Sequence, residues 1–103
     1  MTAENHTLMY DGTATHTADA TVGAAAGTIL AANANRRSAV IQNVHASVSI
    51  RVTIDGQTPT SSLGFLLAAG QSLSLESPGC SKAAIKEIRV GGSDGTVGVT
   101  EVV

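Results

Sequence analysis

With 103 residues, a net charge of −2 and 14% charged side chains, the chain is one small domain whose charge does not indicate a nucleic-acid partner. Its six Lys and Arg residues are scattered, and with one Phe, one Tyr and no Trp it lacks aromatic platforms for stacking on bases. Because no apolar run approaches the roughly 18–20 residues of a membrane-spanning helix and no signal-peptide pattern opens the chain, we expect neither nucleic acid nor a membrane among its partners.

Residues 1–27 are dominated by Thr, Ala and Gly and form the first predicted unit. Thr and Ala alternate over residues 13–18 with the period of a strand, but burying Ala methyl groups offsets little of the backbone entropy lost on ordering. A short apolar anchor that contains Met9 and Tyr10 lies upstream. Two interpretations remain open: a disordered tail, or an extended arm that becomes ordered on a neighbouring subunit. We place the arm at 1–27 and a β-domain at 28–103.

The β-domain begins with a short strand at 28–31 and a turn of the type Asn-x-Asn-Arg-Arg. The continuous apolar run at 39–41 predicts a central strand covered on both faces. Residues 47–54 alternate cleanly between apolar and polar side chains, which is typical of a half-buried strand. Asp55-Gly56 then indicates a turn.

The second half predicts four further strands, at 63–67, 71–76, 83–90 and 96–103. The spacing of apolar residues in 83–90 fits a helical turn or a bulged strand, and the β-rich context favours the strand. Residues 91–95 are interpreted as a hairpin turn. Glu101 falls in register with the inward valines of the last strand, so we expect that frame to end, bulge or reach solvent there.

Six to eight short strands without a helix predict an all-β, antiparallel β-sandwich with an extended N-terminal arm. Pattern alone leaves jelly-roll-like and immunoglobulin-like topologies open, although the Cys…Trp…Cys signature of true immunoglobulin domains is absent. The scarcity of aromatic side chains favours a protein that gains buried surface by assembling with partners.

Candidate catalytic and metal-binding groups are isolated in the sequence. His6, His16 and His45 show no spacing that would place two of them on one face, and a zinc site needs three or four convergent ligands. Cys80, the one cysteine, excludes an intrachain disulfide, suits a reducing cytoplasm and has no adjacent base. We therefore expect no enzymatic activity, no cofactor, no metal and no small-molecule substrate.

Arg36 and Arg37 are the only adjacent basic residues. We expect both guanidinium groups to project from the turn, where Asn33 and Asn35 can cap or adopt left-handed conformations. The alternatives are a local salt bridge, with Glu76, Glu87 or Glu101 as the acceptor, a solvated turn, or a contact between subunits.

The segment 29–43 resembles a recurrent pattern of small virion proteins of tailed phages, in which a strand ends in an Asn-x-Asn-Arg turn and the next strand closes on Gln-Asn. The matching residues are Ile29-Leu30, Asn33, Asn35, Arg36 and Val40-Ile41-Gln42-Asn43. Similar proteins continue with a strand, a Gly-Thr-Ser-rich loop, a segment like Leu66-x-x-x-Gly70-x-Ser72-Leu73 and a valine-rich last strand. The resemblance covers about residues 28–103 and not the arm.

The resemblance implies a β-sandwich or jelly-roll module of the virion, and most directly a capsid decoration (cement) protein. Such a protein binds the outer shell across junctions of the major capsid protein, often as a homotrimer, after assembly in the host cytoplasm. We expect its interface to include Met9, Tyr10, Arg36 and Arg37. The alternatives are a tail or head–tail connector component and a monomeric carbohydrate- or protein-binding module, although few aromatic side chains are present to bind sugars.

Overall fold

The computed structural model describes residues 12–76 and 80–103, and every regular element within them is a β-strand. The strands are β1 (Ala14–Val22), β2 (Gly27–Leu30), β3 (Ser38–Asn43), β4 (Ile50–Thr53), β5 (Phe65–Leu67), β6 (Ser72–Glu76), β7 (Ile85–Arg89) and β8 (Gly95–Val102). They form two antiparallel sheets, sheet A in the order β1-β8-β3-β6 and sheet B in the order β2-β7-β4-β5. The predicted antiparallel β-sandwich is confirmed. In the described part of the chain, no helix is long and apolar enough to cross a membrane.

The strand pairing is that of one long antiparallel hairpin rolled into a sandwich. β1 pairs with β8, β2 with β7, β3 with β6 and β4 with β5, so the first half of the chain runs back along the second half. Rolling this hairpin adds the pairs β3–β8 and β4–β7, which complete the two sheets. This is the arrangement of an eight-stranded jelly roll, and it decides between the two topologies that the sequence leaves open.

Small aliphatic side chains fill the core between the sheets. Ile50 and Val52 of β4 are fully buried, as the alternation of residues 47–54 predicts. The buried apolar set is Val22, Leu30, Ala39, Ile41, Ile50, Val52, Leu67, Leu75, Cys80, Ile85, Val97 and Val99. Each fully buried Val, Leu or Ile contributes about 1.5–3 kcal/mol relative to an exposed one. None of the core residues in the described part of the chain is aromatic.

Three expectations about individual elements are wrong. Only one face of β3 is covered, because Val40 is 44% exposed on the outer face of sheet A. The loop at 91–95 is not a hairpin turn, since β7 belongs to sheet B and β8 to sheet A, and the loop crosses between them. The bulge expected in residues 83–90 is absent from β7, which pairs regularly with β4. The extra residue lies instead in its other neighbour, β2, between Thr28 and Leu30.

Residues 14–22, in the second half of the predicted arm, form β1 at the edge of sheet A and pair with β8 of the same chain. A register shift between Thr17 and Ala20 keeps Ala20 and Val22 on the inner face, opposite Val97 and Gly95. Every residue of β1 except Val22 is exposed, because the edge strand of the facing sheet, β2, has four residues against nine in β1. The predicted boundary between residues 27 and 28 falls inside β2.

Candidate partner-binding surface

The structure places the four predicted interface residues in different settings. Met9 and Tyr10 lie outside the described residues. Arg37 is exposed just before β3, and its backbone N–H donates to the carbonyl of Val102 at 2.7 Å. Arg36 is fully buried, so the expectation that both guanidinium groups project from the turn is wrong for Arg36.

The buried Arg36 guanidinium joins three separate parts of the chain. Nε donates to Glu101 Oε2 at 2.7 Å, Nη1 donates to the carbonyls of Ser81 and Ala83 at 2.9 Å each, and Nη2 donates to the carbonyl of Ala31 at 2.7 Å. The salt-bridge alternative therefore holds for Arg36, with Glu101 as its partner. The inward-facing pattern of β8 continues through Glu101, because the Arg36 guanidinium neutralises the carboxylate of Glu101.

The turn that carries Arg36 is held by its own side chains. Asn33 Oδ1 accepts the backbone N–H of Asn35 at 2.9 Å, and no described non-glycine residue has a positive φ, so Asn33 caps the turn in an Asx conformation. Lys82 Nζ donates to the carbonyl of Arg36. The Asn-x-Asn-Arg segment, on which the resemblance partly rests, is thus a folding element that locks the β2–β3 turn.

Exposed large apolar side chains concentrate around β5. Leu63, Phe65 and Leu66 are 44%, 50% and 49% exposed, and together they are called the β5 surface below. This surface wraps around the edge of sheet B, because strand alternation places Phe65 and Leu66 on opposite faces of β5. Two more exposed hydrophobic residues, Val40 and Val44, belong to β3 and the residue after it. Clustered exposed apolar side chains of this kind usually mark an interaction site.

The loop before β5 is held firmly against β4. Arg51 donates from Nη1 to the carbonyl of Gly64 at 3.0 Å and from Nε to that of Ser61 at 3.3 Å. Gly64 has a φ of +120°, and a Cβ there would lie 2.8 Å from the carbonyl oxygen of Val52, so only glycine allows this close approach. The β5 surface is therefore preformed and needs little ordering when a partner binds.

A shallow depression of about 360 Å³ adjoins the β5 surface. Its lining is formed by Val52, Thr53, Ile54, Asp55, Gln57, Leu63, Gly64 and Phe65. Asp55 accepts both the backbone N–H of Gln57, at 3.1 Å, and its side-chain amide, at 2.6 Å. An exposed aromatic ring thus lies beside a polar rim.

The histidines and the cysteine in the described part of the chain have local contacts. His16 Nδ1 lies 2.7 Å from Thr100 Oγ1, His45 Nδ1 accepts the backbone N–H groups of Ser47 and Val48 at 3.0 Å each, and Cys80 is a buried free thiol. Among the described residues, no three His, Cys, Asp or Glu side chains lie close enough to hold a metal ion. His6 is outside the described residues.

Glu87 is a candidate functional residue that the sequence alone predicts only as a salt-bridge acceptor. It is 6% exposed on the inner face of β7. Burial raises the pKa of its carboxyl from 4.5 to about 7, while a hydrogen bond from its own backbone acts in the opposite direction. The signal in the sequence was the alternation itself, because an inward Ile85 requires residue 87 to face inward as well.

Fold and surface together define the class of this chain: an eight-stranded jelly-roll domain with a preformed apolar surface at one sheet edge. Comparison of the chain with protein-family models, with curated proteins and with solved structures found no match.

Proposed function

We propose that the chain is a non-enzymatic structural protein of a tailed-phage virion, a capsid decoration (cement) protein. In this role it binds the outer shell across junctions between copies of the major capsid protein. The observation that carries the proposal is the β5 surface, with Leu63, Phe65 and Leu66 exposed on a short, firmly held edge. The resemblance of residues 28–103 to small virion proteins supports the choice of partner.

The geometry suits a clamp on an assembled shell. A protein that binds the assembled state and not its free subunits stabilises that state by mass action. A rigid sandwich loses little freedom on binding, and a central aromatic anchor such as Phe65 is the kind of residue that dominates interface energy. At the opposite edge, β1 ends sheet A with nine residues and provides a backbone edge to which another chain can add a strand.

The experiment is co-sedimentation with shells assembled from the major capsid protein of the phage to which the proposal assigns this chain. The double variant Phe65→Ser, Leu66→Ser should lose at least about 2 kcal/mol of binding free energy, which is roughly a 30-fold weaker affinity. Val40→Ser is the matched control, because Val40 is similarly exposed but lies on the other sheet. Unchanged shell binding by a folded double variant would refute the role of the β5 surface.

The arm part of the proposal needs a truncation that spares the sandwich. Removing residues 1–27 would delete β1 and expose the edge of β8, so loss of folding and loss of binding could not be separated. Removing residues 1–11 leaves β1 intact and should give a folded domain with weaker assembly or shell binding. If both are unchanged, the arm has no part in assembly.

The proposal also predicts a homotrimer, which light scattering coupled to size exclusion measures as an absolute mass. A larger ring would instead favour a tail or head–tail connector component. A monomer that sediments with shells would show that the copies assemble only on the capsid surface.

A second candidate function is a monomeric carbohydrate-binding module, favoured by the depression in which Phe65 lies beside Asp55 and Gln57. Sugar sites combine an aromatic face with a few polar groups. Asp55→Asn and Gln57→Ala should abolish binding of soluble oligosaccharides in calorimetry if this function holds. The same variants should bind shells like the wild type if the cement function holds.

A further inference from the structure

The sandwich is open on the side of β1 and β2. A cleft of about 280 Å³ lies there between the two sheets. Its apolar lining includes Ile29, Val97 and Val99, and β1 contributes only small side chains, among them Ala20 and Thr17. The cleft exists because β2 is short and β1 has no large side chain on its inner face.

Glu87 lines this cleft, and one of its two carboxyl oxygens is left unsatisfied by the described residues. Its Oε2 atom is buried and has no hydrogen-bond partner among the described residues. Its other oxygen, Oε1, packs against Gly27, the directly opposed residue of β2, where an added Cβ would lie 2.8 Å away. The carboxyl is therefore held between a strand backbone and the cleft.

Neither of the ion pairs found among the described residues involves this carboxyl. Strand alternation puts Lys86 on the outer face of β7, and Arg89 is engaged by Asp94 at 2.6 Å. Across the cleft, the lining residues of β1 and β8 are uncharged. The only charged inward residue of β8, Glu101, is paired with Arg36.

An unpartnered buried carboxyl is costly to the fold. Transfer of a polar group out of water without a hydrogen bond costs about 1–3 kcal/mol in proteins, and more if it is ionised. The neighbouring inward residue of β7, Ile85, shows that an aliphatic side chain fits this face without that cost. Buried carboxyl groups of this kind cluster at functional sites.

We propose that the cleft binds a primary alkylammonium group, supplied either by a lysine side chain of a partner protein or by a free amine. An ammonium group has donors and no acceptor. It can neutralise the Glu87 carboxylate and donate to Oε2 once rotation about the terminal side-chain torsion, which is broad for carboxyl groups, turns that oxygen toward the cleft. The methylene groups then pack against Ile29, Val97 and Val99, as the stem of lysine packs on apolar surfaces elsewhere. The volume is just below the roughly 300–1,000 Å³ of ordinary ligand pockets, so the occupant is small.

Binding of an ammonium group in this cleft does not depend on the virion role. It is tested with the full chain, labelled with nitrogen-15, by titrating n-butylammonium and following the amide signals of Gly27, Glu87, Val97 and Val99. Saturable shifts at these amides are expected, with a dissociation constant on the order of 1 mM, which corresponds to about −4 kcal/mol. Absence of saturable shifts at the cleft would overturn the proposal.

Two controls identify the group that is recognised. Glu87→Gln keeps the shape of the side chain and should weaken binding at least tenfold, whereas Glu76→Gln, at an exposed position of β6, should leave it unchanged. Neutral n-butanol should bind at least tenfold more weakly than n-butylammonium. Equal affinity in Glu87→Gln, or for the alcohol, would show that the carboxyl does not select an ammonium group.

The source of the ammonium group is then resolved with a blocked lysine, Nα-acetyl-lysine N-methylamide. If it binds at least as well as n-butylammonium, the cleft admits a lysine that is part of a polypeptide, and the site receives a partner protein. If only n-butylammonium binds, the ligand is a free amine. Either result supports the ammonium site.

Discussion

Two charged side chains are buried among the described residues, Arg36 and Glu87, and they differ in how completely the fold satisfies them. Arg36 donates to a carboxylate and to three backbone carbonyls, with distances of 2.7–2.9 Å. Glu87 presents a buried oxygen without a partner among the described residues. The Arg36 guanidinium therefore has a purely structural role. The free oxygen of Glu87 can accept a hydrogen bond from a group outside the described residues.

The comparison distinguishes two roles of a buried charged side chain, a structural one and a ligand-binding one. A buried ion pair in which each guanidinium nitrogen has a partner can fix the arrangement of the segments that it joins. Here these segments are the β2–β3 turn, the segment that precedes β7, and β8. A buried polar group that is left unsatisfied is rare in native structures and requires an explanation. For Glu87, the adjoining cleft provides one.

The largest expected effect is that of Arg36→Met. It leaves Glu101 as an uncompensated charge and removes the donors to three carbonyls, so we expect a loss of about 3–5 kcal/mol in the free energy of unfolding. Urea denaturation followed by circular dichroism measures it. Arg37→Met, at the exposed neighbouring position, should change stability by less than about 1 kcal/mol.

Because small domains have only about 5–15 kcal/mol of stability, Arg36→Met can fail to fold. Arg36→Lys keeps the charge but not the planar fork of donors, and should retain the fold with an intermediate loss. Wild-type stability in Arg36→Lys would mean that the guanidinium geometry is unimportant.

Replacing Glu87 should have the opposite sign. Glu87→Val removes an unpartnered buried carboxyl and fills the inner face of β7, so we expect it to raise the free energy of unfolding by about 1–3 kcal/mol near pH 7. Glu76→Val, at an exposed position, should stay within about 0.5 kcal/mol of the wild type. A destabilised Glu87→Val would indicate that the carboxyl already supports the fold.

The free energy of unfolding should also depend on pH through the Glu87 carboxyl. The pKa of Glu87 is about 7 in the folded chain against 4.5 without the fold, so between these values the folded state binds more protons than the unfolded state. Its contribution is therefore complete below pH 4.5 and is lost as the pH rises to about 7. One pKa unit corresponds to about 1.4 kcal/mol, and access of solvent to the cleft reduces the total to about 1–2 kcal/mol.

This loss is measured by urea denaturation at several pH values. Between pH 4.5 and about 7, the free energy of unfolding of Glu87→Gln should fall less than that of the wild type. The difference should equal the contribution of the Glu87 carboxyl. Profiles that superimpose would show that another group causes the dependence.

The smallest expected effect is that of Gly27→Ala. The new Cβ would meet Glu87 Oε1 at 2.8 Å, and since this is the end of a flexible side chain, the carboxyl can shift at a cost of less than about 1 kcal/mol. The measurable result is a weaker affinity for n-butylammonium. Gly91→Ala, where nothing lies within 4 Å of the added Cβ, is the matched control.

The sequence contained most of the fold because strand alternation and turn residues are local signals. The alternation at 47–54 placed Ile50 and Val52 in the core, and the turns predicted at Gly56 and Gly70 are present, both with positive φ. The sheet to which each strand belongs was not predictable, because pairing over long sequence separations leaves no local trace. For that reason residues 91–95 were interpreted as a hairpin turn and residues 39–41 as covered on both faces.

The candidate sites were less predictable than the fold. Arg36 looked like a surface residue of a polar turn, since nothing local shows that Ser81, Ala83 and Glu101 converge on it. The inward position of Glu87 followed from strand alternation, but its lack of a partner depends on side chains from other strands. The exposure of Phe65 reflects the edge position of β5, which again is a property of the sheet order.

The central claim is that the Arg36 guanidinium finds its hydrogen-bond partners within the fold, whereas the Glu87 carboxyl binds a cationic group from outside it. The most direct measurement is the titration of the Glu87 side-chain carboxyl by carbon-13 NMR, with and without saturating n-butylammonium. We predict a midpoint near pH 7 in the free chain and a clearly lower midpoint in the presence of the amine, because the ammonium group favours the ionised carboxylate. A midpoint near 4.5 that the amine does not move would contradict the account.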